Sequence, residues 1–250
     1  MVSQVSLRGA TLSLPKGSGE AISSSNRGLL RAGIQRPRND MLLVIILLFF
    51  LSACSTGTPQ TTPQVVPVYS TLAAEPWLTA LYDCAAEGNN IILSRVDDPS
   101  SAEIVLRIGE PAFLASFAYQ IDEEEILIVT HRQSPVQNLT LDEAQALFMG
   151  LGDPSVQVWV YASDADVQGV FDQLVMEGRS VVSSASVAAP PQHMSDTLVN
   201  ESNTVGVLPR HWKVGDVREV YSVGIVPVLA LSTSEPQGVL QQLIACLQSK

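Results

Sequence analysis

The chain has 250 residues, of which 46% are hydrophobic and 16% charged; 14 basic residues stand against 25 acidic ones, a formal net charge of −11. So acidic a chain, with no Lys/Arg cluster, excludes a nucleic-acid partner and repels anionic headgroups. Its three cysteines and three histidines have no metal-ligand spacing, so neither a metal nor a cofactor is expected.

Met41 to Leu51 is a run of eleven apolar residues. A membrane-spanning helix needs about 20, so the run has the length of a signal-peptide hydrophobic region. Arg36 and Arg38 supply the positive flank. Leu51-Ser52-Ala53-Cys54 resembles the lipobox of bacterial lipoproteins, whose Cys thiol receives a diacylglycerol before the signal is cut away. The step needs a thiol, the side chain nucleophilic enough near neutral pH. Each buried methylene adds about 0.8 kcal/mol, and more than one acyl chain makes such an anchor stable. The alternative is an uncleaved apolar helix with an incidental Cys. The expectation is a protein lipid-anchored at Cys54 on the extracytoplasmic side of the cell membrane.

Residues 1–53 read as leader and signal peptide; 1–40 read as a misplaced start, with a long leader as the alternative, and a start at Met41 would remove Arg36 and Arg38. Residues 1–40 contain six basic and two acidic residues and no apolar periodicity up to the signal. From Cys54 to Lys250, 197 residues remain with eight basic and 23 acidic side chains, a net of −15. That length suffices for one large domain or two small lobes. Residues 54–64, with the Thr/Pro-rich stretch Ser55–Gln64, read as the lipidated Cys and a flexible tether.

The predicted elements then alternate. Val65–Ser70 is a β-branched strand. Ser70-Thr71 opens onto a helix whose stripe is Trp77, Leu78, Leu81, Tyr82 and Ala85, with Pro76 in its first turn and Gly88 at its end. Asn90–Val96 and Glu103–Ile108 are strands joined by a short loop, Asp97–Ser101. Ile126–Thr130 is a strand preceded by Asp122–Glu125, read as a solvated acidic edge. Thr140 and Glu143 have capping-box spacing at the start of a helix with Leu141, Ala144, Leu147 and Phe148 on its apolar face. Val156–Tyr161 is a strand. Ser163 and Asp166 repeat the capping-box spacing before a helix with stripe Val167, Val170, Phe171, Leu174 and Val175. Val181–Ala189 is a strand, Pro190–Asn200 a helix and Thr204–Leu208 a strand. Arg218–Leu231 is apolar and interrupted at Gly224 and Pro227. Ser234 caps a last helix with stripe Val239, Leu240, Leu243, Ile244 and Leu247. This alternation predicts an α/β fold with a mostly parallel sheet and helices on both faces.

Cys84 and Cys246 flank the stripes of the first and last helices. In an oxidising compartment such an even pair reads as a disulfide; two separate buried thiols are the alternative. Catalytic signatures are missing: there is no G-x-S-x-G, S-x-x-K, H-E-x-x-H, C-x-x-C or phosphate-binding P-loop, and no nucleophile–base pair, so the chain does not read as an enzyme. Two strand-to-helix turns remain, Ser70-Thr71 and Ser163-Asp164. In open α/β sheets ligands bind at the carboxyl ends of strands. Ser70, Thr71, Ser163 and Asp164 are therefore the candidate ligand-binding residues, with capping as the alternative for Ser163.

VPVYST before a helix, ILIVTHRQSPVQNLTLDEAQALFMG (126–150), VWVYAS (158–163) and TVGVLP (204–209) together resemble the type II periplasmic binding proteins, in particular the phosphate-transporter substrate-binding family. The resemblance spans Val65 to Lys250. It implies a two-lobed fold, with lobe one formed by 65–125 plus 222–250 and lobe two by 126–221. The first and last helices would then lie together, bringing Cys84 near Cys246. It also implies a small ligand, such as the oxyanion phosphate, held between the lobes and passed to an ABC-type permease. Only Ser70 and Thr71 carry over directly. The family's Gly-Ser-rich helix start is replaced by Asp97–Ser101, and its Arg and Ser-Gly-Thr by ASDADVQG (162–169). The second expectation is a binding-protein fold that has lost its ligand and serves as a structural or protein-interaction module of the envelope.

Overall fold

β-Branched segments and amphipathic helices alternate along the chain and assemble into one mixed sheet with helices packed against it. The computed structural model describes residues 62–88, 90–111, 113 and 117–250. The apolar leader, Cys54 and nearly all of the tether lie outside the described residues.

The strands are β1 (Gln64–Ser70), β2 (Ile91–Arg95), β3 (Ile104–Ile108), β4 (Phe117–His131), β5 (Gln157–Tyr161), β6 (Ser186–Ala188), β7 (Thr204–Pro209) and β8 (Val217–Ser232). The helices are α1 (Glu75–Glu87), α2 (Leu141–Phe148), α3 (Asp166–Phe171), α4 (Pro191–Asn200) and α5 (Val239–Leu247). The sheet order is β2-β1-β3-β8-β4-β7-β5-β6. It is parallel at both ends, where β1 pairs with β2 and β3 and β5 with β6 and β7. Its middle, β3-β8-β4-β7, is antiparallel.

The two long middle strands join the halves. β4 pairs with β8 from Phe117↔Ser232 to His131↔Val217, with register shifts between Gln120 and Asp122, Ile126 and Leu127, and Ile128 and Val129. β3 adds to β8 at Val228–Leu231, whereas β7 adds to β4 at Ile126–Thr130. Each half therefore uses a different end of the same pair.

Two local expectations change here. Asp122–Glu125 lies within β4 and not at a sheet edge; Asp122 and Glu123 are exposed as expected, whereas Glu124 is 1% exposed. Arg218–Leu231 is not broken at Gly224 and Pro227; it lies within β8. A proline lacks the amide that a ladder needs, and such residues sit at irregularities. Pro227 faces Glu123, next to the shift at Gln120/Asp122.

Among the capping signals, that of α2 holds, whereas Ser234 does not cap the last helix, which begins at Val239 after Gly238. Thr140 and Glu143 form the capping box of α2. α1 carries Pro76 in its first turn and buries Trp77, Leu78, Leu81, Cys84 and Ala85. Tyr82 is exposed, and Cys84 takes the inward position. Cys84 is disulfide-bonded to Cys246 of α5, across 162 residues of sequence. Past Phe171 the chain winds one π turn, Asp172–Met176. The wider turn moves the apolar stripe, so Leu174 is exposed and Met176 fully buried. Phe171 packs on Phe148 of α2 with ring centroids 4.6 Å apart. Burying such a side chain contributes about 1.5–3 kcal/mol. α4 presses closely on β7: a Cβ at Gly206 would stand 2.5 Å from Met194 Sδ, so only glycine fits there unshifted.

Candidate functional site

β1 and β5 are the inner parallel strands of their halves, and their carboxyl ends converge on one cavity of about 220 Å³. Tyr69, Thr71, Leu72 and Ala73 line it from the first half. Tyr161, Ala162, Asp164, Ala165, Asp166 and Val167 line it from the second, with Ala189 and Pro191. Drug-sized sites run to about 300–1,000 Å³, so this space admits only a small molecule.

The backbone builds both walls in the same way. Each strand ends in a short turn, and each following helix begins without a side-chain cap, at Ala74 for α1 and Ala165 for α3. In the first turn Ser70 is buried behind the cavity, its hydroxyl donating to the Thr71 carbonyl at 2.9 Å. Thr71 reaches the cavity. In the second turn Ser163 is exposed and not among the lining residues, so it neither caps α3 nor faces the cavity. Asp164 lines the cavity and is exposed. The structure thus brings Thr71 and Asp164 to one site and leaves Ser70 and Ser163 outside its lining.

Asp166, the fourth residue of the Ser163 spacing, spans the gap instead. Its Oδ2 accepts from Thr71 Oγ1 at 2.6 Å and from the Ile108 amide at 2.8 Å. Its Oδ1 accepts from the Val167 amide at 2.9 Å. Thr71 and Ile108 end β1 and β3 in the first half, whereas Asp166 opens α3 in the second. Asp166 is 7% exposed. Gly109, following Ile108 at φ +70°, lets β3 meet α3: a Cβ there would lie 2.5 Å from Val170 Cγ2.

Tyr161 is the other polar group of the second wall. It is 3% exposed, and its hydroxyl has no hydrogen-bond partner among the described residues. Burial, with the Asp166 charge adding, pushes its hydroxyl well above the ordinary tyrosine value. It stays a neutral donor. Buried polar groups are nearly always paired, yet this hydroxyl is sealed within the wall, so a ligand reaches it only where the wall yields.

A second bridge between the halves lies outside the cavity. Trp212 Nε1, in the single turn Arg210–Trp212 after β7, donates to the Ala73 carbonyl at 2.8 Å. His211 packs on Trp77 of α1 with centroids 4.7 Å apart, and its ring pairs with the Glu124 carboxyl. The His211 amide also donates to Glu124, at 3.1 Å. Burial raises the Glu124 carboxyl above its ordinary value, and these contacts from His211 hold it partly back. His211 is exposed at the surface and at the same time part of an interhalf contact. Neither Tyr161, Asp166 nor His211 was a sequence candidate. Asp166 carried a readable signal in its capping-box spacing from Ser163, and Tyr161 in its place at the carboxyl end of a strand.

No protein-family model matches the chain, and no curated protein matches it. Solved structures do. A phosphate ABC transporter substrate-binding protein with bound phosphate from Clostridium perfringens superposes with TM-score 0.65 at 12% identity, covering 74% of this chain and 93% of that one. An ABC-type phosphate transport receptor from Vibrio cholerae superposes with TM-score 0.57 at 14% identity, covering 74% and 94%. The CcmR regulatory domain of Synechocystis PCC6803, in complex with 2-PG, gives 0.58 at 10% identity, covering 74% and 96%. The chain has the type II periplasmic-binding fold, as its motifs imply. Among the described residues no helix is long and apolar enough to cross a membrane.

Proposed function

We propose that the chain is a solute-binding protein of this fold, holding one small polar molecule in the cavity between the ends of β1 and β5. Lobe one comprises 65–125 plus 222–250 and lobe two 126–221, and the molecule sits between them. The observation that carries this reading is the cavity of about 220 Å³ walled by both halves and lined by Tyr161, a buried donor without a partner among the described residues. Thr71 and Asp164 complete its polar rim. Cys54 anchors the protein by lipid outside the cytoplasm, Ser55–Gln64 sets the domain off the bilayer, and the solute is handed to an ABC-type importer. The protein is a binder and not an enzyme.

The phosphate of the Clostridium perfringens and Vibrio cholerae proteins is a poor fit to these walls. The charged lining residues are Asp164 and Asp166, with no Lys or Arg among them. An anion between two carboxylates is repelled, and more strongly in a dry cleft. We assign the cavity to a neutral or positively charged small solute that accepts a hydrogen bond from Tyr161.

A thermal-shift screen of the full chain tests this. Small amines, polyols, amino acids and sugars form one panel, and phosphate, sulfate and carboxylates the other. A shift of several degrees with the first panel, lost in Tyr161→Phe, is the expected result. A shift with phosphate alone overturns the solute class. Silence in both panels supports the second reading, a binding fold that has lost its ligand and serves as an envelope interaction module. One observation favours that reading: Asp166 already occupies the donors offered by Thr71 and Ile108.

A further inference from the structure

We infer that Asp166 is a ligand built into the chain: its carboxylate fills an anion subsite formed by the first half and latches the two halves together with no solute present. The donors are neutral and come from two different strand ends. Thr71 Oγ1 and the Ile108 amide both meet Oδ2, from positions 95 and 58 residues away in sequence. The Val167 amide meets Oδ1. A carboxylate with three such bonds and 7% exposure is held as a bound acetate would be held. Among the described residues every hydrogen-bond partner of Asp166 is a hydroxyl or an amide. The nearby Tyr161 hydroxyl is buried and has no partner among the described residues.

Attachment through the backbone gives this carboxylate an effective concentration that a free anion in solution does not match. A dissolved anion must displace Asp166 to reach the Thr71 and Ile108 donors. The latch therefore keeps anions out of the subsite and leaves only the remaining cavity, beside Tyr161 and Asp164, for a solute. This inference concerns the same cleft as the proposed function but does not depend on any solute binding there.

Chemical rescue tests it. Asp166→Ala in the full chain empties the subsite while leaving Thr71 and Ile108 in place. Sodium acetate is the probe, with sodium chloride at equal ionic strength as the control. The expected result is a saturable rise of several degrees in the melting temperature of Asp166→Ala with acetate, absent in the wild type and abolished by adding Thr71→Val. A folded Asp166→Ala that responds to acetate no more than to chloride overturns the inference, as does an equal acetate response in the wild type.

Should Asp166→Ala fail to fold, Thr71→Val alone decides by hydrogen exchange. It leaves the carboxylate and removes one donor. Exchange of the Ile108 amide should rise at least tenfold while amides of β7 stay unchanged. Unchanged exchange at Ile108 overturns the latch. The two readings also fail separately. A wild-type hit in the solute screen without acetate rescue removes the latch only, and rescue with a silent screen removes only the solute.

Discussion

The half built on β1, β2 and β3 is tied behind its sheet by Cys84–Cys246, whereas the half built on β5, β6 and β7 has no covalent tie. That second half holds all four of the buried side-chain polar atoms without a partner among the described residues: Trp159 Nε1, Tyr161 Oη, Ser195 Oγ and Arg218 Nε. It also contains the π turn, a winding that is rare and recurs near functional sites. The contrast places the covalent restraint on one wall and the unused hydrogen-bonding capacity on the other. The contrast predicts a stiff first wall and a more adaptable second one.

The largest expected effect tests the covalent side. Cys84→Ala with Cys246→Ala removes a link closing 162 residues. By chain entropy it should cost about 4–5 kcal/mol. Denaturant titration under oxidising conditions measures it, and a loss below about 1 kcal/mol would erase the asymmetry drawn here.

Next comes the packing of the second half. Phe171 is fully buried against Phe148. Core Phe→Ala changes cost about 3–5 kcal/mol, less where the surroundings relax. A wall that adapts should put Phe171→Ala near the lower end, about 3 kcal/mol. A cost at the upper end, with an unaltered π turn, would show the second half to be as stiff as the first.

Tyr161→Phe should act in two directions. Leaving a buried polar group unpaired costs about 1–3 kcal/mol. Deleting the hydroxyl should therefore raise the melting temperature of the ligand-free protein while weakening the solute found in the screen. A destabilised ligand-free variant would show that the hydroxyl already has a partner and would remove the argument for a ligand on this wall.

The smallest effect lies at the junction of the halves. Burial raises Glu124 above its ordinary 4.5, so its folded value exceeds its unfolded one. Such a group favours the fold below the unfolded value, and that contribution is lost as pH rises through the folded value. Relative to Glu124→Gln, the wild type should lose stability steadily from about pH 4.5 toward neutrality. Parallel stability curves, or a difference running the other way, would mean that the His211 contacts outweigh burial.

Much of the architecture was legible in the residues. β-Branched runs marked β1, β3, β5 and β7, and Thr140 with Glu143 marked the start of α2, because a capping box joins side chain to backbone within one turn. The cysteines flanking the stripes of α1 and α5 announced their bond. The same kind of reading misplaced Ser163, since identical spacing can cap a helix or leave the fourth residue free to reach elsewhere. It also took Glu124 for surface along with its exposed neighbours Asp122 and Glu123, since charge alone says nothing of the partner strand laid beside it.

Local signals of this kind depend on near neighbours in the chain, and so composition and periodicity alone were enough to determine the fold class, the order of elements and the candidate turns. Tertiary structure alone decided that Asp166 meets Thr71 and Ile108, that Glu124 lies under His211, and that the Tyr161 hydroxyl has no partner among the described residues. Those pairings join residues 58 to 95 positions apart, a range over which spacing carries no information and only the juxtaposition of strand ends settles which groups meet.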